Sequence, residues 1–290
     1  MIKKGIILAG GTGSRMSPVT KAVNKQLLPL YDKPLFYYPL SILMLAKIKD
    51  VLIVVNKGQV NQFKKVLPNG NNLGIKITYM EQDQPRGLPD AFIVGEKFIG
   101  KNSVALILGD NFFFGQSLTK KIIESTDLTK GAKVFLHPVK NSHLYGVATI
   151  NKKNKITNIV EKPKKSISNL AVTGLYFFDN TVVKKSKTLK QSKRKEIEIV
   201  DLLNKYKRKK QLNAELLGKG GVWLDTGSIK DFNDASNFVA AVENRQRLKI
   251  GCIEEVAFNN GWTNRQKIKN AMNFYGNCEY SKYLNLIINK

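Results

Sequence analysis

Short apolar runs and helical patterns take turns along the first part of the chain. Residues 4–9, 51–55, 75–80 and 104–108 are apolar and short enough to be buried strands. Between them, residues 35–48, 60–66 and 88–98 carry apolar side chains at helical spacing. Strand and helix in alternation imply βαβ units with right-handed crossovers and a mostly parallel sheet. The first half is therefore expected to be Rossmann-like.

The second half changes character. Residues 134–139, 146–150, 156–161 and 171–178 have strand patterns, and the polar turn at 151–154 predicts a hairpin. A helix is expected over 195–207, a strand over 212–217 and a long helix over 228–248. Beyond Cys252 the pattern is helical, notably at 264–274 and 281–288. No internal repeat or low-complexity linker interrupts the chain. The expected architecture is α/β: a mixed, mostly parallel sheet flanked by helices, with a C-terminal helical appendage.

Composition narrows the possibilities. With 290 residues, 42% of them hydrophobic, the chain can bury an adequate core. No apolar run reaches the roughly 18 residues of a membrane helix; the longest candidate, residues 35–46, contains Pro39 and two tyrosines. No membrane partner is expected. The apolar stretch at 6–9 is too short for a signal-peptide core, so the cytoplasm is the default location. Cys252 and Cys278 lack metal-ligand spacing and there are two histidines, so a metal would have to be held by carboxylates.

The formal charge of +26 invites a nucleic-acid reading. The lysines, however, are spread over the whole chain alongside abundant Asn and Ile. The densest cluster, Lys205, Lys207, Arg208, Lys209 and Lys210, falls at the end of an expected helix, where the dipole favours cations. A solvated face explains it better, and no specific nucleic-acid partner is expected.

Candidate chemistry begins at the first strand's end. Gly10-Gly11-Thr12-Gly13-Ser14-Arg15 is a glycine-rich turn whose amides could approach phosphates, with Arg15 and Lys25 placed to neutralise them. The spacing is not the dinucleotide GxGxxG, and no acidic residue stands about 20 positions on to hold a ribose, which speaks against an NAD-dependent oxidoreductase. Nor is it a P-loop, which ends in Gly-Lys-Ser/Thr. A plain strand-to-helix turn competes with the phosphate reading on this segment alone.

The wider context is more specific. Leu8 to Arg15, Ser17 to Lys21 and Asn24-Lys25-Gln26-Leu27-Leu28-Pro29 are followed by Asp32-Lys33-Pro34 and Tyr37-Tyr38-Pro39-Leu40. Then come Leu108-Gly109-Asp110-Asn111, Tyr145-Gly146-Val147, Glu161-Lys162-Pro163 and Ala171-Val172-Thr173-Gly174-Leu175-Tyr176. Residues 196–201 and Trp223-Leu224-Asp225-Thr226-Gly227 complete the series. In this order the motifs resemble the sugar-nucleotide pyrophosphorylases, and Lys-Gln-Leu-Leu-Pro resembles the thymidylyltransferase form. The resemblance runs from Lys4 to about Glu255.

That resemblance implies the nucleotide-diphospho-sugar transferase fold, with a nucleotidyltransferase domain over 1–250 and a helical appendage over 251–290. It also implies Mg²⁺-dependent transfer of a nucleotidyl group from dTTP to glucose 1-phosphate, releasing pyrophosphate; UTP or another hexose 1-phosphate is the alternative. Asp110 and Asp225 would bind Mg²⁺, which commonly takes one or two carboxylates plus phosphate oxygens. Arg15, Lys25, Lys162 and Arg194 would supply catalytic positive charge. The nucleotide would contact Leu8, Gly10, Gly11, Thr12, Gly13, Arg15, Lys25, Gln26, Gln82, Gly87 and Asp110. The sugar phosphate would contact Asn111, Tyr145, Gly146, Glu161, Lys162, Val172 and Arg194. Family members are similar to homotetramers with feedback by a dTDP-sugar.

Each residue also has a plain structural reading: Asp225 as a turn former, Asp110 as a strand-end cap, Lys162 as a surface lysine. The base-reading loop departs from the pattern at Arg86 and at Pro89-Asp90, and Leu144 stands where arginine is common.

Overall fold

The computed structural model describes residues 1–289. Among these residues a nine-stranded sheet forms the centre. Its parallel half is ordered Val104–Leu108, Lys4–Leu8, Asp50–Asn56, Lys76–Gln82, all in register with their neighbours. Both faces of these strands are covered, which is why their sequences are continuously apolar rather than alternating. Ile7, Ile53 and Ile107 enter one core with helix Tyr37–Leu45; Ile6, Leu52 and Leu106 enter the opposite core with helix Ile199–Arg208. Tyr37–Leu45 is buried along eight of its nine residues, as expected of a helix apolar on all sides.

The Leu170–Phe178 strand joins the two halves. Its C-terminal part runs antiparallel to Val104–Leu108, pairing Leu175 with Ile107 through to Phe178 with Val104. At its start Ala171 pairs instead with Val147 of the Gly146–Ile150 strand. On its other edge the register with Ala132–Pro138 breaks between Val172 and Tyr176, where the strand bulges. The Thr173 hydroxyl donates to the Phe135 carbonyl across this irregularity, 3.0 Å away. The predicted hairpin of Gly146–Ile150 and Ile156–Glu161 closes that edge.

Differences from expectation have local causes. The 195–207 helix starts only at Ile199, because Lys195 adopts a positive φ of 61° and Glu198 an extended cap conformation. The 88–98 helix is two short helices, Asp90–Val94 and Glu96–Ile99, parted at Gly95. A two-stranded ladder pairs Asn111–Phe114 with Val222–Asp225, an arrangement no local pattern announces. Past Cys252, helices Ile253–Asn259, Arg265–Tyr275 and Glu279–Ile288 follow in succession; Ala257 joins the core of Tyr37–Leu45.

Candidate active site

At the C-terminal ends of the parallel strands, a cleft of about 230 Å³ is lined by Arg15, Asp110, Asn111, Tyr145, Gly146, Glu161, Lys162, Val172, Arg194 and Asp225, among others. Ten of the sequence-derived site residues thus share one wall system, in the position where open α/β sheets bind ligands.

The two aspartates meet because of the small ladder. Asp225 lies opposite Asn111, and the Thr226 amide and hydroxyl both donate to the Asp110 carbonyl, at 3.2 and 2.8 Å. Burial pushes the Asp225 carboxyl up to about 6, with the neighbouring Asp110 charge adding to the rise. Burial also works against Asp110, but the Lys25 ammonium, 2.7 Å from Oδ2, and the Asn111 amide together hold its carboxyl below the usual range. Two neighbouring carboxylates share one buried ammonium, with the Arg15 guanidinium and the Asp231 carboxylate also acting on Asp225, and an oxygen donor pair of this kind fits a divalent cation. Among the described residues no cluster of three or more His, Cys, Asp and Glu offers a richer metal site.

Asn111 fixes this end of the cleft. Its buried Oδ1 accepts from the Gly174 amide at 3.0 Å and from Trp223 Nε1 at 2.6 Å, while its Nδ2 donates to Asp110. Glycine is required at 174, since a Cβ there would lie 2.4 Å from Asn111 Oδ1.

The opposite end holds Glu161, Lys162 and Arg194. Glu198, buried at the start of helix Ile199–Arg208, accepts two hydrogen bonds from Arg194, at 3.0 and 2.7 Å, and a third from the Ser192 hydroxyl. Arg194 also reaches Glu161 at 3.1 Å. Burial, then the Glu198 charge, raises the Glu161 carboxyl despite Arg194 and Lys162 nearby. Lys162 itself takes a positive φ of 42° as the strand ends, and its amide donates to the Tyr145 carbonyl.

The glycine-rich turn is clamped from behind. Asn56 accepts from the Gly11 amide at 2.9 Å and donates to the Gly11 carbonyl at 2.8 Å. Gln82 donates to the same Asn56 Oδ1, and its Nε2 would sit 1.9 Å from a Cβ at Gly10. Asn24 ties the Ala9 carbonyl and caps the Gln26 amide. Leu8 pairs with Val54 and Leu108, and Gln26 packs under Gly109. Arg15 lies against Gly227, where a Cβ would approach its guanidinium to 2.8 Å. Lys25 joins the cleft through Asp110. Thr12 is exposed, and neither it nor Gly13 lines the cleft. Gly87 packs instead against the backbone of Ile197, which donates to the Arg86 carbonyl. The unusual Arg86 and Asp90 pair with each other at 2.8 Å, Asp90 being buried.

Sequence reasoning missed Asn24, Asn56, Trp223 and Glu198 as positioning residues. Asn24, Trp223 and Glu198 lie inside the motifs; Asn56, a polar residue closing an apolar strand, is the available signal for the clamp.

A nucleotidyl transferase family model matches residues 4–242. The chain belongs to this family. This nucleotidyl transferase is 46% identical to the glucose-1-phosphate thymidylyltransferase of Neisseria meningitidis serogroup A, covering 99% of this chain and 100% of the relative. It is 43% identical to the enzyme of that name from Xanthomonas campestris pv. campestris, over 97% and 96% of the two chains. Among solved structures it resembles a glucose-1-phosphate thymidylyltransferase from Bacillus anthracis, with a TM-score of 0.75, 38% identity and coverage of 81% and 94%. A UDP-glucose pyrophosphorylase bound to UDP-glucose aligns with a TM-score of 0.73 at 28% identity, over 84% of this chain and all of that one. Nucleotidyl transferases of this kind generally use a divalent metal.

Proposed function

We propose that this nucleotidyl transferase joins dTTP and glucose 1-phosphate to give dTDP-glucose and pyrophosphate, as a source of activated deoxysugar precursors. The observation that carries the reading is the cleft itself, whose wall joins Asp110 and Asp225 with Glu161, Lys162, Arg194 and Arg15. Relatives named for this reaction, matching over nearly the whole chain, support the choice of substrates.

The chemistry suits such residues. The sugar phosphate is already anionic at neutral pH, so its oxygen can attack the α-phosphorus without a strong base while pyrophosphate leaves in line. Charge repulsion is the barrier, and positioned cations lower it. Arg15 and Lys25 bind the nucleotide phosphates, and the Gly10 to Gly13 turn, held by Asn56 through the Gly11 backbone, lies beside them. Lys162 and Arg194 hold the sugar phosphate, and Glu161 accepts hydrogen bonds from the hexose hydroxyls, a discrimination that favours polyols over deoxy analogues. Asn111, Tyr145, Gly146 and Val172 shape the sugar pocket. Gln82 and Gly87 contact the pyrimidine, the Gln82 amide being able to donate and accept at once. Leu8, Thr12 and Gln26 complete the nucleotide site.

Asp110 and Asp225 would hold Mg²⁺, which when bound supplies charge neutralisation to the phosphates. Residues 1–250 carry the reaction and 251–290 form a helical appendage. A cytoplasmic homotetramer with feedback by a dTDP-sugar completes the reading.

Pyrophosphate release with dTTP and glucose 1-phosphate tests it, run in competition with UTP, CTP, ATP and GTP. Preferential use of dTTP is the expected outcome; no sugar nucleotide from dTTP would overturn it. Lys162→Ala should raise KM for the sugar phosphate more than for dTTP, and an equal loss on both contradicts its role.

A further inference from the structure

Arg194 stands on a stretch with no helix or strand, residues 190–198, between helices Val182–Lys187 and Ile199–Arg208. Much of its bonding is local. The Ser192 amide donates to the Glu196 carbonyl at 2.8 Å and the Lys195 amide to the Ser192 carbonyl at 2.9 Å, in a turn that takes Lys195 to a positive φ. Among the described residues one backbone hydrogen bond ties this stretch to a distant part of the chain, from the Ile197 amide to the Arg86 carbonyl at 2.7 Å. The two backbones touch: a Cβ at Gly87, whose φ is 114°, would lie 2.2 Å from the Ile197 carbonyl oxygen.

Arg86 is held in turn by its own side chain. Residues 83–89 carry no helix or strand, and Arg86 Nη2 donates at 2.8 Å to Oδ1 of Asp90, the first residue of helix Asp90–Val94. The Arg86 side chain is half-exposed, but that of Asp90 is 1% exposed, and a carboxylate so buried needs its cation. The pair therefore pins Arg86 to the start of the helix. Leu88, just beyond, and Arg194 both line the cleft.

We propose that Arg86 and Asp90 are positioning residues for the sugar-phosphate side of the cleft, a role that rests on Arg194 binding the sugar phosphate in the reaction proposed for it. The ion pair fixes the Arg86 carbonyl, the carbonyl fixes Ile197, and Ile197 fixes the turn that bears Arg194. Glu198 orients the guanidinium, whereas the Arg86–Asp90 pair sets where its backbone stands.

The test is a double-mutant cycle on the full chain, reading kcat/KM for glucose 1-phosphate at saturating dTTP by pyrophosphate release. A displacement of about 1 Å in a positioning group can cost about 10²-fold. With Glu198 still holding the guanidinium, Arg86→Ala should cost about tenfold. In an Arg194→Ala background the same substitution should cost less than about twofold, because the group it positions has gone. Arg86→Lys, which keeps a cation for Asp90, should recover most of the loss. An unchanged kcat/KM in Arg86→Ala, or equal losses in the two backgrounds, would overturn the proposal while leaving the reaction itself standing. No turnover by the parent chain would overturn the reaction, and the positioning role with it. Should Arg86→Ala fail to fold, Arg86→Gln, which keeps a neutral donor for Asp90, goes through the same cycle with a loss of about threefold expected.

Discussion

Lys25→Met removes the buried ammonium that sits 2.7 Å from Asp110 while keeping most of the side chain's apolar volume. Breaking a fully buried ion pair costs about 3–5 kcal/mol, because the surviving charge is left uncompensated. Here the Lys25 side chain is 8% exposed but that of Asp110 is 24% exposed, so water screens part of the loss and about 2–3 kcal/mol is expected. At roughly 2–4 °C per kcal/mol for chains somewhat shorter than this, melting should fall by about 4–12 °C. The loss should be larger in EDTA than in millimolar Mg²⁺, since an added divalent cation replaces a charge that has gone. Turnover should drop by about 10² or more, the usual effect of deleting one preorganised positive donor. Differential scanning calorimetry with and without EDTA, beside a pyrophosphate-release assay, measures both. A variant as stable as the parent in EDTA would refute the electrostatic reasoning, whatever its activity.

Asn111→Leu strands the Gly174 amide and the Trp223 indole N–H, so denaturant unfolding should report a loss of about 2–5 kcal/mol. Gly10→Ala forces a Cβ to within 1.9 Å of Gln82 Nε2; KM for the nucleotide should rise severalfold while KM for the sugar phosphate holds. The Asp179 carboxylate accepts from the Gly131 amide, the Thr181 amide and the Tyr206 hydroxyl at 2.7, 3.0 and 2.9 Å. Burial opposes its charge, yet these bonds and that of the Thr181 hydroxyl prevail and its carboxyl lies below the usual value. A depressed carboxyl contributes stability above its unfolded value of about 3.9 and loses it as pH falls further. Asp179→Asn should therefore lower stability at neutral pH and flatten the acid limb of a stability-against-pH curve; an unchanged limb would remove the assignment.

Much of the fold was legible because the parallel strands are buried on both faces and so stand out as unbroken apolar runs, as at residues 51–55 and 104–108. The hairpin at 146–161 was equally plain, its turn being polar between two patterned strands. What escaped was long-range. The Asn111–Phe114 and Val222–Asp225 ladder unites segments distant in sequence, so no window of local pattern contains it, although it is what brings Asp110 and Asp225 together. The late start of helix Ile199–Arg208 escaped because a lysine at 195 does not advertise a positive φ. The site's charged residues were legible through the motifs, and Asn24 stands inside one of them, whereas Asn56, which holds the Gly11 backbone, looks in sequence like any polar strand end. Arg86 and Asp90, odd one at a time, make sense as a pair at helical spacing.

The bulged Leu170–Phe178 strand carries a consequence for variation. It is hydrogen-bonded to the Val104–Leu108 strand at one end and pairs with Gly146–Ile150 at the other, so it works as a ruler between the Asp110 end of the cleft and the strands that carry Gly146 and Glu161. Gaining or losing one residue within 173–175 would slide one half of the site past the other and turn successive side chains to the opposite face. Point substitutions along the cleft can retune which sugar or base is accepted, but a change of length in this strand would abolish the spacing on which either choice depends.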